Sequence, residues 1–323
     1  MLAGLALAAA SGAADARARS PQEPVSLAWY TSLPISVAAK LAADFSRANP
    51  SILVKPIGAE DMFMKWREKR QWWNDADVVT DLGIELQQGI TESGTLARME
   101  PPSARGAGCA WAWAGSGYYA YTHAVRFPLM FRTEISTSDA SDSLAALAES
   151  RWKGKVLLPD PGSSAEAACL YRFVVRKPGL GFEWLKKMGR NEAVVVMFPS
   201  SLIIALSGGF AEAGWGRQFM NLHDADNILW SSPASEGSPL LLYASGVSAA
   251  SRHAPEAGLF VRWMLDPATQ RRMAGKGAFY ALAGADCARL DRESMMCLRG
   301  WAGADPAEIG ALLERASAAL LGD

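Results

Sequence analysis

The sequence alternates between strand-like and helix-like segments from residue 25 onward, and this alternation constrains the fold more than any other feature. Apolar residues alternate over 25–29, as in a strand, and then recur at helical spacing over 33–48. A strand at 52–57, a helix at 60–72 and a short strand at 77–79 are predicted next. Strands joined by helices through short connections form a parallel sheet covered on both faces. The first part of the chain is therefore predicted to be α/β.

A second α/β series follows an aromatic run at 111–121, WAWAGSGYYAY, which is predicted to be an extended crossover. Further strands are predicted at 155–158 and 194–198, with a return strand at 227–231. Further helices are predicted at 84–92, 143–150, 165–175, 182–188, 201–206, 255–265, 267–275 and 306–321. No low-complexity linker separates the two series. The sequence thus predicts two lobes joined by more than one crossing, with a cleft between them.

The predicted boundaries give the first lobe residues 21–115 and the second lobe residues 116–230. Residues 231–323 are predicted to return to the first lobe and to add the C-terminal helices. The composition fits such a protein, since 50% of the residues are hydrophobic and 20% are charged. A formal net charge of −1 excludes a nucleic-acid binder that relies on electrostatics. The longest apolar run, at 2–10, is shorter than the roughly 20 residues that a membrane-spanning helix needs.

Residues 1–20 are predicted to be a signal-like segment. The apolar run at 2–10 is followed by small residues at cleavage spacing, at 14–16 and 16–18. No Lys or Arg precedes Arg17, so a start further upstream and a plain alanine-rich tail are the alternatives. Export would place the chain in an oxidising compartment.

Four cysteines are consistent with such a compartment. Cys287 and Cys297 are close enough in sequence to close a small loop, and we expect a disulfide between them. The pairing of Cys109 and Cys169 stays open.

No common catalytic motif occurs in the sequence. It contains no GxSxG, GxxxxGK, GxGxxG, HExxH or CxxC, and its three histidines are isolated. We therefore expect a protein that is not an enzyme and that carries no cofactor. No metal site is predicted either, although one built from distant residues stays open.

Six segments occur in the same order as in a known family. They are WYTSLP, ADVVTDL with Gly89 and SGTL, GYYAYTH, RWKGKVLLPDPGSSAEA, SSPASEGSP and APEAGLFVRWMLDPATQRRM. Together they resemble the extracellular solute-binding proteins of ABC importers, in the group that includes ferric-ion, polyamine and phosphonate binders. The resemblance covers nearly all of residues 25–280 and implies a two-lobed, hinged type II periplasmic binding protein. It also implies a monomer in the periplasm that delivers a small solute to an ABC permease.

Small polar residues stand at three predicted helix starts that follow strands. In open α/β sheets, ligands bind at the carboxyl ends of strands, where helix N-termini present unpaired N–H groups to anions. The alternative is that these residues are ordinary helix caps, which Ser and Thr often form. The candidate ligand-binding residues of this kind are Thr31, Ser32, Gly162, Ser163, Ser164, Ser200 and Ser201.

Acidic and aromatic residues add further candidates. Glu60 and Asp81 are the acidic candidates of the first lobe, and the resemblance places Glu60 near ligand-contacting positions, although a helix cap explains it equally well. Glu236 lies at the EGSP crossing, where it either accepts hydrogen bonds between the lobes or contacts a ligand cation. Tyr119 and Tyr121 share one face of a strand and are predicted to face the cleft.

One stretch departs from the ferric-ion members of the family. Those members carry two adjacent tyrosines late in the second lobe, whereas residues 208–219 here read GGFAEAGWGRQF, without a tyrosine. The predicted ligand is therefore a small anionic or zwitterionic organic solute, such as a phosphonate, a phosphate ester or a carboxylate. A ferric-ion or polyamine binder and the ligand-sensing module of a signalling system are the alternatives, and an enzyme on the same fold is the least supported.

Overall fold

The computed structural model describes residues 23–31, 33, 35–58, 75–82, 94–100, 117–135, 139–197, 199–216, 227–231, 236–274 and 306–322. The signal-like segment at 1–20 and the predicted helices at 60–72 and 84–92 lie outside these residues. Ser32, Glu60, Cys109, Cys287 and Cys297 lie outside them as well. Within the described part of the chain, no helix is long and apolar enough to cross a membrane.

The described residues form two sheets, and the first has five strands in the order β2-β1-β3-β10-β4. Its strands are β1 (Val25–Thr31), β2 (Ile52–Gly58), β3 (Val78–Leu82), β4 (Tyr119–Arg126) and β10 (Leu240–Val247). β1 runs parallel to β2 and β3, and β10 runs antiparallel to both β3 and β4.

The second sheet also has five strands, in the order β7-β6-β8-β5-β9. Its strands are β5 (Leu129–Arg132), β6 (Val156–Pro159), β7 (Val194–Val196), β8 (Ala213–Trp215) and β9 (Ile228–Ser231). β6 runs parallel to β7 and β8, whereas β5 runs antiparallel to β8 and β9.

The described helices begin and end close to their predicted positions. They are α1 (Ile35–Ala48), α2 (Ala165–Arg176), α3 (Gly181–Arg190), α4 (Pro199–Ser207), α5 (Ala254–Met264), α6 (Pro267–Ala274) and α7 (Pro306–Leu321). Short 3₁₀ turns at Ala145–Ala148 and Ser150–Trp152 replace the single helix predicted at 143–150. The two-lobed α/β fold is therefore confirmed.

The three strands predicted for the first lobe, β1, β2 and β3, are parallel as expected, but the sheet that contains them is mixed. β10 lies between β3 and β4 and runs against both of them. Its sequence, LLLYASGV, falls in the range 231–323, where no strand was predicted beyond the return strand at 227–231. The antiparallel direction follows from topology, since the chain leaves the first sheet after β4 and re-enters it from the side of the second sheet.

The chain crosses between the sheets at residues 127–128 and again between β9 and β10. The first crossing therefore lies beyond the predicted boundary at 115/116, because β4 still pairs within the first sheet. The C-terminal helix α7 packs against α3 and α2 of the second lobe, although it was assigned together with the return to the first lobe.

Aromatic side chains fill the core of the first lobe. The ring of Phe260 in α5 contacts Trp29 of β1 and Phe45 of α1 edge to face, with both centroid distances at 4.9 Å. All three side chains are fully buried. Because such pairs stabilise by about 0.5–1.5 kcal/mol beyond their buried area, they hold α1 and α5 on the same face of the sheet.

Close packing of α3 on α7 predicts the effect of adding one methyl group. A Cβ atom at Gly189 of α3 would overlap the main-chain carbonyl oxygen of Leu320 in α7. We expect Gly189→Ala to lower the free energy of unfolding by about 1–3 kcal/mol, because the helices must separate. The matched control is Gly310→Ala in α7, where an added Cβ meets no atom within 4 Å. That control should stabilise by up to about 1 kcal/mol in urea denaturation, and equal effects of the two changes would contradict the packing.

Candidate ligand-binding cleft

In both sheets the carboxyl ends of the strands face the crossings, except for β5 and β10, which begin there. β4 runs in the same direction as β1 and β3, because β10 is antiparallel to both β3 and β4. After the crossing at 127–128, β5 begins at Leu129, which pairs with Trp215 at the carboxyl end of β8. Only two residues of the chain therefore separate the carboxyl edge of the first sheet from that of the second. Open α/β sheets bind ligands in a cleft at such edges.

Hydrogen bonds to one carbonyl oxygen tie the crossings together. The oxygen of Phe127 accepts a bond from the indole Nε1 of Trp215 in the second lobe at 3.0 Å. The same oxygen accepts a bond from the hydroxyl of Ser238, in the second crossing, at 2.8 Å. Phe127 and Trp215 are both buried. The first crossing is thus fixed both to the second crossing and to the second lobe.

Glu236 fastens the second crossing to the second lobe. Its Oε1 atom accepts hydrogen bonds from the Ser143 hydroxyl at 2.7 Å and from the Ala145 main-chain N–H at 3.0 Å. The residue is 6% exposed. These bonds agree with the alternative in which Glu236 accepts hydrogen bonds at the hinge between the lobes. A ligand contact of Glu236 stays a prediction.

Two helix starts of the second lobe lie at the same sheet edge. β6 and β7 are parallel, and the N–H of Asp160, just after β6, donates to the carbonyl oxygen of Val196, at the end of β7, at 2.8 Å. The loop 162–164 leads from there into α2, and α4 begins shortly after β7. Ser201 is half-buried in the first turn of α4. Ser200 precedes it in that turn, and its side chain lies outside the description.

Hydrogen bonds within the chain preorganise the loop before α2. The Oδ1 atom of Asp160 accepts the N–H of Gly162 at 2.7 Å, and the Ser163 hydroxyl donates to the Asp160 carbonyl oxygen at 2.8 Å. The Ser164 hydroxyl accepts the N–H of Ala167 at 3.1 Å, as a helix N-cap does. One of the N–H groups that were expected to bind an anion, that of Gly162, therefore already donates to a carboxylate of the chain. Asp160 was not among the predicted site residues, although an Asp two residues before a Gly is a known turn signal.

Tyr171 holds this loop against α2. Its hydroxyl donates to the carbonyl oxygen of Pro159, at the end of β6. Burial raises the pKa of Tyr171, and the nearby Asp160 carboxylate raises that pKa further. The phenol therefore stays protonated and remains a donor throughout the neutral range.

The first-lobe candidates lie along the ends of β1 and β3. Thr31 is buried at the end of β1, and its Oγ1 accepts the N–H of Leu33 at 3.1 Å, which shapes the turn into α1. Asp81 lies in β3 at the register position opposite Ala244 of β10. Tyr121 also pairs with Ala244, so it is level with Asp81 across the sheet.

Tyr119 and Tyr121 contact each other edge to face, with ring centroids 5.6 Å apart. Tyr119 is 7% exposed and packs in a small cluster that includes Val79 and Leu96, whereas Tyr121 is partly buried at its rim. The cluster accounts for the burial of Tyr119. A ligand contact of either tyrosine stays a prediction.

A row of buried polar groups that the sequence analysis missed crosses the first sheet. The Trp29 indole donates to the Thr80 hydroxyl at 2.8 Å, and the hydroxyls of Thr80 and Ser245 lie 2.7 Å apart. Ser245 contacts the Thr122 hydroxyl at 3.0 Å, which in turn lies 3.1 Å from Nδ1 of His123. All five residues are fully buried. Each member supplies a partner to the next, which offsets the cost of burying polar atoms.

Across the described ranges, no group of three or more His, Cys, Asp or Glu side chains is placed to hold a metal ion.

Comparison with known proteins identifies the fold but gives no close relative. No protein-family model matches the sequence, and no curated protein matches it.

Three solved structures share the fold over nearly the whole chain. The iron-bound HitA of Pseudomonas aeruginosa is 18% identical, with a TM-score of 0.69 over 92% of this chain and 98% of HitA. The substrate-binding protein of an ABC transporter from Agrobacterium tumefaciens is 15% identical, with a TM-score of 0.74 over 92% of this chain and 94% of that one. AfuA of Actinobacillus pleuropneumoniae, with fructose-6-phosphate bound, is 16% identical, with a TM-score of 0.70 over 90% of this chain and 96% of AfuA. The chain therefore has the two-lobed fold of the type II periplasmic binding proteins.

The hinge alternative for Glu236 predicts that its replacement lowers the stability of the protein. If Glu236 is part of the hinge, Glu236→Ala lowers the free energy of unfolding by about 1–3 kcal/mol, because the Ala145 N–H loses its buried acceptor. Ser143→Ala removes one donor from the opposite side and should cost less, about 0.5–1.5 kcal/mol. Urea denaturation of both variants and of the double variant measures their coupling. Unchanged stability of Glu236→Ala would contradict the hinge role.

Proposed function

We propose that the chain is the solute-binding component of an ABC importer. It captures a small solute between its two lobes in the periplasm and delivers it to a permease in the inner membrane. The observation that carries this proposal is the pair of facing carboxyl edges, which lie only two residues apart at a hydrogen-bonded crossing. The solved proteins of the same fold, among them the substrate-binding protein from Agrobacterium tumefaciens, support it.

The proposed solute is a small organic anion or zwitterion, such as a phosphonate, a phosphate ester or a carboxylate. The two helix starts at one edge of the second sheet support an anionic group, because helix N-termini attract negative charge. AfuA, which has a phosphate ester bound, shares the fold. Asp160 lies at the start of the loop and favours a solute that also carries a cationic group or a hydrogen-bond donor.

A ferric ligand set with adjacent tyrosines in the late second lobe has little support. Residues 213–215 of that stretch form β8, and the Trp215 indole is committed to the Phe127 carbonyl oxygen. The fold of iron-bound HitA nevertheless keeps Fe(III) among the solutes to test. In this proposal the protein acts as a monomer and performs no chemical reaction on the solute.

A thermal-shift screen of the purified protein tests the proposed function. The panel contains phosphonates, phosphate esters, amino acids, polyamines and Fe(III). A solute at 100 times its Kd should raise the free energy of unfolding by about 2.7 kcal/mol. X-ray scattering with that solute should then show a smaller radius of gyration, because lobe closure makes the molecule more compact. A bound solute with an unchanged radius would contradict closure.

The loop before α2 gives a sharper test once a solute is known. Replacing both Ser163 and Ser164 by Ala should weaken binding of an anionic solute about 10-fold or more, since the Ser164 hydroxyl, which acts as an acceptor in the loop, can donate one charge-assisted bond of about 1.5–3 kcal/mol. Stability should fall by only about 1 kcal/mol for each lost cap. The control is Ser46→Ala, which removes another serine hydroxyl that accepts a main-chain N–H, that of Val54, in the first lobe. Calorimetry that shows equal affinity for the double variant and the control would mean that these serines serve only as local caps.

A further inference from the structure

We propose that a buried hydrogen bond between Tyr243 and Glu166 sets the angle between the two lobes. Tyr243 lies in β10 of the first sheet and is fully buried. Its hydroxyl donates to Oε1 of Glu166, in the first turn of α2 in the second lobe, at 2.6 Å. Glu166 is 9% exposed. The bond therefore joins the lobes through side chains that belong to neither crossing.

The first-lobe end of this bond is rigidly held. The Tyr243 ring stacks on His123, with centroids 4.6 Å apart and planes inclined by 10°. The pairing of β10 with β4 shifts register between Tyr243 and Ala244, which leaves Thr122 as an extra residue and brings His123 opposite Tyr243. The Thr122 carbonyl oxygen in turn accepts a bond from the Gln270 side chain of α6. The Tyr243 hydroxyl thus extends from a fixed ring toward the second lobe.

The second-lobe end is held just as firmly. α2 begins with the Ser164 cap, and Ala167, Ala168 and Leu170 of the same helix are buried in the core. Tyr171 ties the helix to the end of β6. Glu166 consequently cannot follow Tyr243 if the lobes rotate about the crossings.

Two rigid partners make the bond sensitive to the angle between the lobes. A hydrogen bond weakens steeply once its distance and direction leave a narrow range. The bond therefore favours the observed arrangement, and because Glu166 is in α2, it also positions the helix start of the proposed cleft. Tyr243 and Glu166 are positioning residues and not ligand contacts.

Distance measurements on the solute-free protein test this inference, so its outcome does not depend on the proposed function. Spin labels attached through an unnatural amino acid at the exposed positions Lys40 in α1 and Lys187 in α3 report the distance between the lobes. Tyr243→Phe should raise the population of a second distance about 10-fold, the effect of losing one buried bond. The matched control is Trp184→Phe, which removes a buried aromatic donor of a hydrogen bond within the second lobe, to the carbonyl oxygen of Leu144. That control should keep the wild-type distance distribution.

Variants at Glu166 test the same bond from the other side. Glu166→Leu removes the acceptor and should reproduce the distribution of Tyr243→Phe, whereas Glu166→Gln keeps an acceptor oxygen and should resemble the wild type. The double variant Tyr243→Phe/Glu166→Leu should exceed neither single variant, because the two changes remove one interaction. If one single variant does not fold, the other provides the test. The inference is overturned if a folded single variant keeps the wild-type distribution, or if neither single variant folds, since the bond would then serve folding and not the angle between the lobes.

Discussion

The way in which the two lobes are joined depends on hydrogen bonds to the carbonyl oxygen of Phe127. This oxygen accepts bonds from Trp215 and Ser238, so three parts of the chain that are far apart in sequence meet at one buried atom. The crossing that it belongs to has two residues, which leaves the two sheets no freedom to move apart. What remains is rotation about the crossings. The cleft exists because this connection holds the strand ends of the two sheets close together. At the second crossing, Glu236 likewise fixes the chain to the second lobe by hydrogen bonds.

The buried row of hydroxyl groups in the first sheet fixes how its strands pair. Thr80, Ser245 and Thr122 belong to three adjacent strands, and their hydroxyls form one chain of contacts. A slip of one residue in any pairing would turn these side chains to the opposite face and leave them among apolar groups. The row therefore fixes the register of β3, β10 and β4. That register in turn places Asp81 and Tyr121 level with each other across the sheet.

Elements with strong local periodicity were predictable from the sequence. α1 and α2 repeat apolar residues at helical spacing, β1 alternates, and their observed bounds follow those patterns. β10 was missed because a strand buried in the middle of a sheet has no alternation, and an apolar run can equally belong to a helix. The first crossing and the docking of α7 depend on contacts between distant segments. The partners of Glu236 are also distant in sequence, so Glu236 could be located in the sequence but its partners could not.

The position of β10 has a consequence for the order in which the protein folds. β10 separates β3 from β4 in the first sheet, yet it follows the whole of the second sheet in sequence. During synthesis β1, β2 and β3 emerge early, and β4 has no neighbour in its own sheet until residue 240 is made. The second lobe, by contrast, has all five of its strands by residue 231. Because pairing of distant segments is slow, the sheet that is started first is the last to be completed.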